Sequence, residues 1–113
     1  MPAEHHNIGT AGTAARELIR CGVTPRVIIS LIVANTTTSV RKYTIRHVPA
    51  DETPDDKFCL FKDVSIRANS TATIDSPVFL TDGDVIDISS DAASAVVATA
   101  YTIPASDYYA SRS

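Results

Sequence analysis

The chain has no Trp, few aromatic residues of any kind, four Gly and two Cys in 113 residues. Each scarcity excludes something. Without Trp, and with aromatics at only 6%, the interior must be built from Val, Ile, Leu and Ala. Four glycines leave no phosphate-cradling glycine loop. Two cysteines, Cys21 and Cys59, are too few for a disulfide framework, and the expectation is two unpaired thiols. No apolar run approaches the ~20 residues that cross a bilayer, so no membrane is expected as a partner. The residues from Met1 to His6 lack the basic and apolar regions of a secretory signal, and synthesis in a cytoplasm is the default expectation.

What is present suits one domain with one core. Hydrophobic residues make up 44% of the chain, too many for a disordered segment. Ser, Thr and Ala are abundant, which favours strands and exposed turns. The net charge is −3, unevenly spread. Through Val48, six Arg and Lys stand against Glu4 and Glu17, a balance of +4. From Pro49 onward, four stand against eleven acids, a balance of −7. Solvated strand faces and acidic turns explain this, as do complementary surfaces that let copies or neighbouring chains dock in one orientation. The overall sign disfavours nucleic acid as a partner.

The pattern predicts strands over 27–35, 43–48, 58–66, 71–74, 85–88 and 95–103, with a short first strand at Glu17-Leu18-Ile19-Arg20. Short strands at this spacing favour a sandwich or barrel. The expected fold is an all-β antiparallel sandwich, jelly-roll or immunoglobulin-like, over residues 14–105. Residues 1–13 show no hydrophobic period and read as an extended N-terminal arm, ordered against something else. Residues 106–113 read as a C-terminal tail. In the strongest strand, strict alternation puts Val27, Ile29, Leu31 and Val33 on one face and Ile28, Ser30, Ile32 and Ala34 on the other. Apolar side chains on both faces predict cover from the second sheet and from a partner or the arm. Phe58, Leu60, Val64 and Ile66 share a parity in the next long strand. Pro77 confines Val78-Phe79-Leu80 to a sheet edge. Arg67-Ala68-Asn69-Ser70 and Thr81-Asp82-Gly83-Asp84 read as turns, with Gly83 free to take a positive φ. Residues 49–56, rich in acid and proline, form the longest exposed loop.

Candidate chemistry is thin. His5 and His6 are adjacent, so in an extended segment they point apart and do not converge on one metal ion. Asp82, Asp84 and Asp87 invite a calcium reading, but no Glu closes the loop, and turn capping explains Asp82-Gly83-Asp84 better. No Ser carries a nucleophile-elbow signature. The expectation is a protein without a catalytic site, a cofactor or a metal.

Three stretches resemble a group of small phage virion proteins with β-sandwich folds. They are Val27 through Thr37, ending in Asn35-Thr36-Thr37; Leu60 through Thr71, ending in Ala68-Asn69-Ser70-Thr71; and Leu80-Thr81-Asp82-Gly83-Asp84-Val85-Ile86. The resemblance covers roughly residues 14–104. It departs at Leu18-Ile19-Arg20-Cys21-Gly22, where such proteins often carry an aromatic strand ending in Pro-Ala-Gly. The resemblance implies a particle component, either a capsid cement or decoration subunit or a neck, tail or baseplate accessory protein. It implies a location in the virion and, as partners, a major capsid protein or other virion proteins. A homo-oligomer, with a trimer suited to lattice symmetry, is the expected assembly. The expected interface residues are Glu4, His5, His6, Asn7, Ile8 and Gly9 of the arm, Asp51, Glu52, Asp55 and Asp56 of the acidic loop, and Tyr108 and Tyr109. The rival from another class is a carbohydrate- or receptor-binding sandwich, for which the chain offers Tyr43, Tyr101, Tyr108 and Tyr109 and no Trp.

Overall fold

The computed structural model describes residues 4–11 and 14–110. These form nine strands and one short helix, in the order β1 (Glu4–Ala11), β2 (Arg16–Arg20), β3 (Arg26–Asn35), β4 (Arg41–Val48), β5 (Cys59–Ile66), β6 (Thr71–Ile74), β7 (Val78–Leu80), β8 (Val85–Ser90), β9 (Ala93–Pro104) and α1 (Ala105–Ala110). One sheet runs β1-β9-β3-β6, with β7 also on β3; the other runs β2-β8-β4-β5. Every pairing is antiparallel. The pairs β1–β9, β2–β8, β3 with β6 and β7, and β4–β5 nest one inside the next, like one long hairpin. Folding that hairpin over brings β9 against β3 and β8 against β4. This is the jelly-roll arrangement of a β-sandwich, and it decides between the two sandwich types expected from sequence.

The core lies between the two sheets. Leu31 and Val33 of β3 stand opposite Ala100 and Ala98 of β9. The small alanines leave room for Ile45, Ile86 and Ile88 of the facing sheet, all within 1% of complete burial. Aliphatic side chains thus fill the interior to close packing without Trp. Tyr43 is the one aromatic among the buried core residues described, and burial pushes its hydroxyl pKa up.

Three features correct the alternation read from sequence. β3 does not alternate strictly: its register against β9 shifts between Ile28 and Ser30. The extra residue, Ile29, is 37% exposed, while Ile28 before it and Leu31 and Val33 after it face the core. A bulge reverses which parity points inward. β5 behaves likewise. Asp63 takes a positive φ of 49°, and two residues, Lys62 and Asp63, stand opposite Thr44 alone. Phe61 and Val64 therefore pack against the core, while Leu60 lies 41% exposed. In β2 a shift between Glu17 and Ile19 buries the neighbours Leu18 and Ile19 together.

Residues 4–11 are not an arm standing off the sandwich. They form β1, the edge strand of the larger sheet, in continuous register with β9 from Glu4–Thr102 to Gly9–Val97. The backbone ladder explains why no hydrophobic period marks it. Among the described side chains of β1, Ile8 alone is a hydrophobic packed against the core. The stretch beyond Pro104 is a short helix over 105–110, and Ala105 N–H donates to Pro25 O at 2.9 Å. Met1 to Ala3, Gly12, Thr13 and residues 111–113 of the expected arm and tail lie outside the described residues.

Candidate functional site

Two turns of the resemblance meet at one end of the sandwich. Asn35, 2% exposed, ends β3. Its Nδ2 lies 2.8 Å from Ser39 O, 3.0 Å from Ile66 O and 3.0 Å from Arg67 O. Its Oδ1 accepts from Thr37 N–H at 2.9 Å and Thr37 Oγ1 at 2.8 Å. Across the gap, Asn69 N–H donates to Thr37 O at 3.0 Å, and Asn35 N–H donates to Ser70 O at 2.8 Å. Asn69 takes a φ of 52°, which an Asn tolerates. The Asn-Thr and Ala-Asn-Ser segments are therefore one hydrogen-bonded unit, joining the exit of β3 to the exit of β5.

The third segment forms a second lock, around Asp84. Its Oδ2 accepts from Thr81 N–H at 3.1 Å and from His47 Nε2 at 3.0 Å, and its Oδ1 accepts from Ala50 N–H at 3.1 Å. Burial works to raise the carboxyl pKa. The bonds from Thr81, His47 and Ala50 outweigh it and hold the group below its ordinary value. Gly83, with φ of 87°, lets the turn pass against Ala50. Asp82, Asp84 and Asp87 do not converge: Asp84 caps this turn, while Asp87 binds Arg46 through two 2.9 Å bonds. Among the described residues no three His, Cys, Asp or Glu side chains gather as a metal would require.

The expected interface residues fall into three separate places. Glu4, His5, His6, Asn7, Ile8 and Gly9 lie along the β1 edge. His5 points outward over Tyr101, with ring centroids 5.3 Å apart. His6 stands opposite Ala100, its Nε2 3.5 Å from Glu4 Oε1. Glu4 also reaches Arg26 Nε at 3.4 Å. Asn7 Nδ2 donates to Thr99 Oγ1 at 2.7 Å, and Ile8 is turned to the core. Asp51, Glu52, Asp55 and Asp56 are exposed on the opposite sheet. Asp51 takes a φ of 64°, and Asp55 caps the short turn Asp56–Phe58 by accepting from Lys57 N–H. Asp56 pairs with Lys62 at 2.6 Å, which lowers the pKa of the one and raises that of the other.

That acidic loop borders an open polar hollow of about 310 Å³ on the outer face of the smaller sheet, lined by Lys42, Thr44, Arg46, Asp56, Lys62 and Ser89. Arg46 and Lys62 are matched there to Asp87 and Asp56. Asp87 holds the Arg46 guanidinium in its charged form.

Tyr108 and Tyr109 are the third place, and here sequence reasoning missed a partner. They pack on Phe79 of β7. Tyr109 stacks on it at 6.0 Å and 13°, and Tyr108 meets it edge-on at 5.4 Å. Phe79 is 43% exposed and Tyr109 61%, so the cluster forms a surface patch. No signal near Phe79 in the sequence marks a contact some thirty positions away. Cys21 is buried and Cys59 half-buried, and both are free. Burial pushes the Cys21 thiol pKa up.

No family model and no curated protein matches the chain. Among solved structures it is similar to a chain in the structure of infectious bursal disease virus, Gx strain. Identity is 12%, TM-score 0.37, over 94% of this chain and 33% of that one, so this chain spans about a third of that chain's length. The fold assignment rests on the strand pairing above and not on this similarity.

Proposed function

We propose that the chain is a structural subunit of a virus particle, acting as a capsid cement or decoration protein of a phage head. One observation supports this reading best. The three motifs that resemble small phage virion proteins coincide with the two turn locks of the jelly roll, around Asn35 and around Asp84. The segments that carry the resemblance are thus spent on holding the sandwich rigid, as a protein that works by surface contact requires. In this reading it has no catalytic role, and its partners are a major capsid protein or other virion proteins. The exposed acidic loop and the aromatic patch are the contact surfaces on its two faces.

Cryo-electron microscopy of particles from the source tests the proposal. Density for this chain on the capsid exterior at lattice positions is the expected result. Density confined to neck, tail or baseplate would move it to the accessory role. Absence from purified particles would overturn the reading.

A second reading draws on the patch of Phe79, Tyr108 and Tyr109. Exposed aromatic faces suit the apolar face of a sugar or a receptor side chain. A glycan array with hits that a Tyr109→Ala variant abolishes would favour this binding-module reading over the structural one.

A further inference from the structure

Sheet edges expose unpaired backbone groups, and proteins blunt them with charge, proline, bulges or brevity. Three of the four edges here are blunted. β2 carries Arg16, Glu17 and Arg20, all exposed, and a bulge. β5 carries Lys62 and Asp63 and two register shifts. β6 and β7 are four and three residues long, separated by Pro77. β1 is blunted only at its ends, by the charge of Glu4 and by the Arg16 guanidinium on Gly9 O, and its register shift against β9 comes after Gly9. From Glu4 to Gly9 it holds no Lys, Arg or Pro, and its register against β9 runs without a break across those six positions. We propose that this edge is an interface and that its occupant is a second copy of the chain. The two β1 strands pair antiparallel about a two-fold axis, joining two jelly rolls into one continuous sheet.

Self-complementarity selects the second copy. A two-fold axis perpendicular to a sheet keeps inner residues on the inner face, so the axis must pass through a residue position and not between two. An axis at Asn7 overlaps residues 4–10 of the two strands and, unlike the equally long overlap about Ile8, keeps Glu4 within the contact. It sets His5 opposite Gly9 and His6 opposite Ile8 of the other copy, and no two like charges face each other. It also places Glu4 of each copy at the far end of the other strand. There the exposed Arg16 guanidinium already lies at Gly9 O, 2.9 Å away. Glu4 is 55% exposed at its side chain and can meet that guanidinium while retaining Arg26 at its back. The contact therefore carries two equivalent Glu4–Arg16 pairs, one at each end. This geometry is two-fold, and it differs from the trimer expected from lattice symmetry. It rests on the chemistry of the edge and stands independently of the virion reading.

Sedimentation equilibrium of the purified protein over a concentration series tests the proposal, with hydrogen exchange of the β1 amides on the same samples. A monomer–dimer equilibrium with β1 protection that grows with dimer fraction is expected. Glu4→Arg should raise the dissociation constant about tenfold or more, since both ends of a two-fold contact change at once. Combining Glu4→Arg with Arg16→Glu should restore it to near the original value. A monomer at all concentrations, a trimer, or a dimer whose β1 amides exchange as fast as in the monomer would each overturn the proposal. The exchange measurement uses the unaltered protein, so a variant that fails to fold does not shield the idea.

Discussion

His47 Nε2 donates to Asp84 Oδ2 at 3.0 Å, and that bond ties the end of β4 to the start of β8. The same carboxylate holds the amides of Thr81 and Ala50. Replacing Asp84 with Ala leaves these donors without their acceptor in a buried setting. The expected cost is about 2–3 kcal/mol of folding stability, read from the urea midpoint at neutral pH.

The pH dependence follows from the same group. In the unfolded chain this carboxyl takes up its proton near pH ~3.9; in the fold it does so lower. Through that window the unfolded state binds more protons, so stability conferred by Asp84 is full above it and is lost as pH falls through the folded value. An acid titration followed by circular dichroism should show the Asp84→Asn protein losing less stability than the original between neutral and acid pH. Equal losses in the two proteins would rule this out.

Asn35→Ala should cost about 2–3 kcal/mol, because three carbonyls and the Thr37 amide lose their partner at a position 2% exposed. The aspartate variant should fare no better, since it sets a carboxylate against the oxygens of Ser39, Ile66 and Arg67. Thermal unfolding of the two variants side by side checks both statements.

The bulge at Ile29 makes an unusual claim about neighbours. Ile29→Thr should change stability by less than about 0.5 kcal/mol, whereas Ile28→Ala should cost about 2–4 kcal/mol. Strict alternation with Ile29 on the core face with Leu31 and Val33 would require a large loss for Ile29 as well. Denaturant melts of the pair discriminate the two arrangements.

Gly83→Ala should destabilise by about 1–2 kcal/mol from its left-handed backbone alone. The new Cβ would also lie 2.8 Å from Ala50 Cβ, so part of the turn must shift. A variant as stable as the original, by calorimetry, would show that this turn relaxes freely.

What could be read from the residues was local. Asp82-Gly83 announces a turn because φ at Gly83 and capping by Asp84 are matters of a few adjacent positions. The exposed loop of Asp51 to Asp56 announces itself by acid and proline. The strands with a buried face are legible through Val, Ile and Leu. The bulges at Leu18, Ile29 and Asp63 were not, since each is set by register against a distant partner strand and reverses parity without any change of residue type. β1 was missed for a related reason. His5, Asn7 and Gly9 carry no apolar pattern, and the strand is held by a ladder to residues near 100. The aromatic patch needed Phe79 and Tyr109 in one place, which only the fold supplies.

The nesting of the strand pairs also sets a clock. The ladder that holds Glu4 is made with Thr102, so the first strand waits for the ninth. Each sheet draws strands from both halves of the chain. A ribosome making this protein therefore releases the early strands before their neighbours exist, and neither sheet is complete until its late strands have emerged. Such distant pairings fold on the scale of about milliseconds to seconds. For that interval β1 and the apolar β3 stand open to whatever chain is nearest, which makes crowding during heavy expression the period of greatest risk for mispairing.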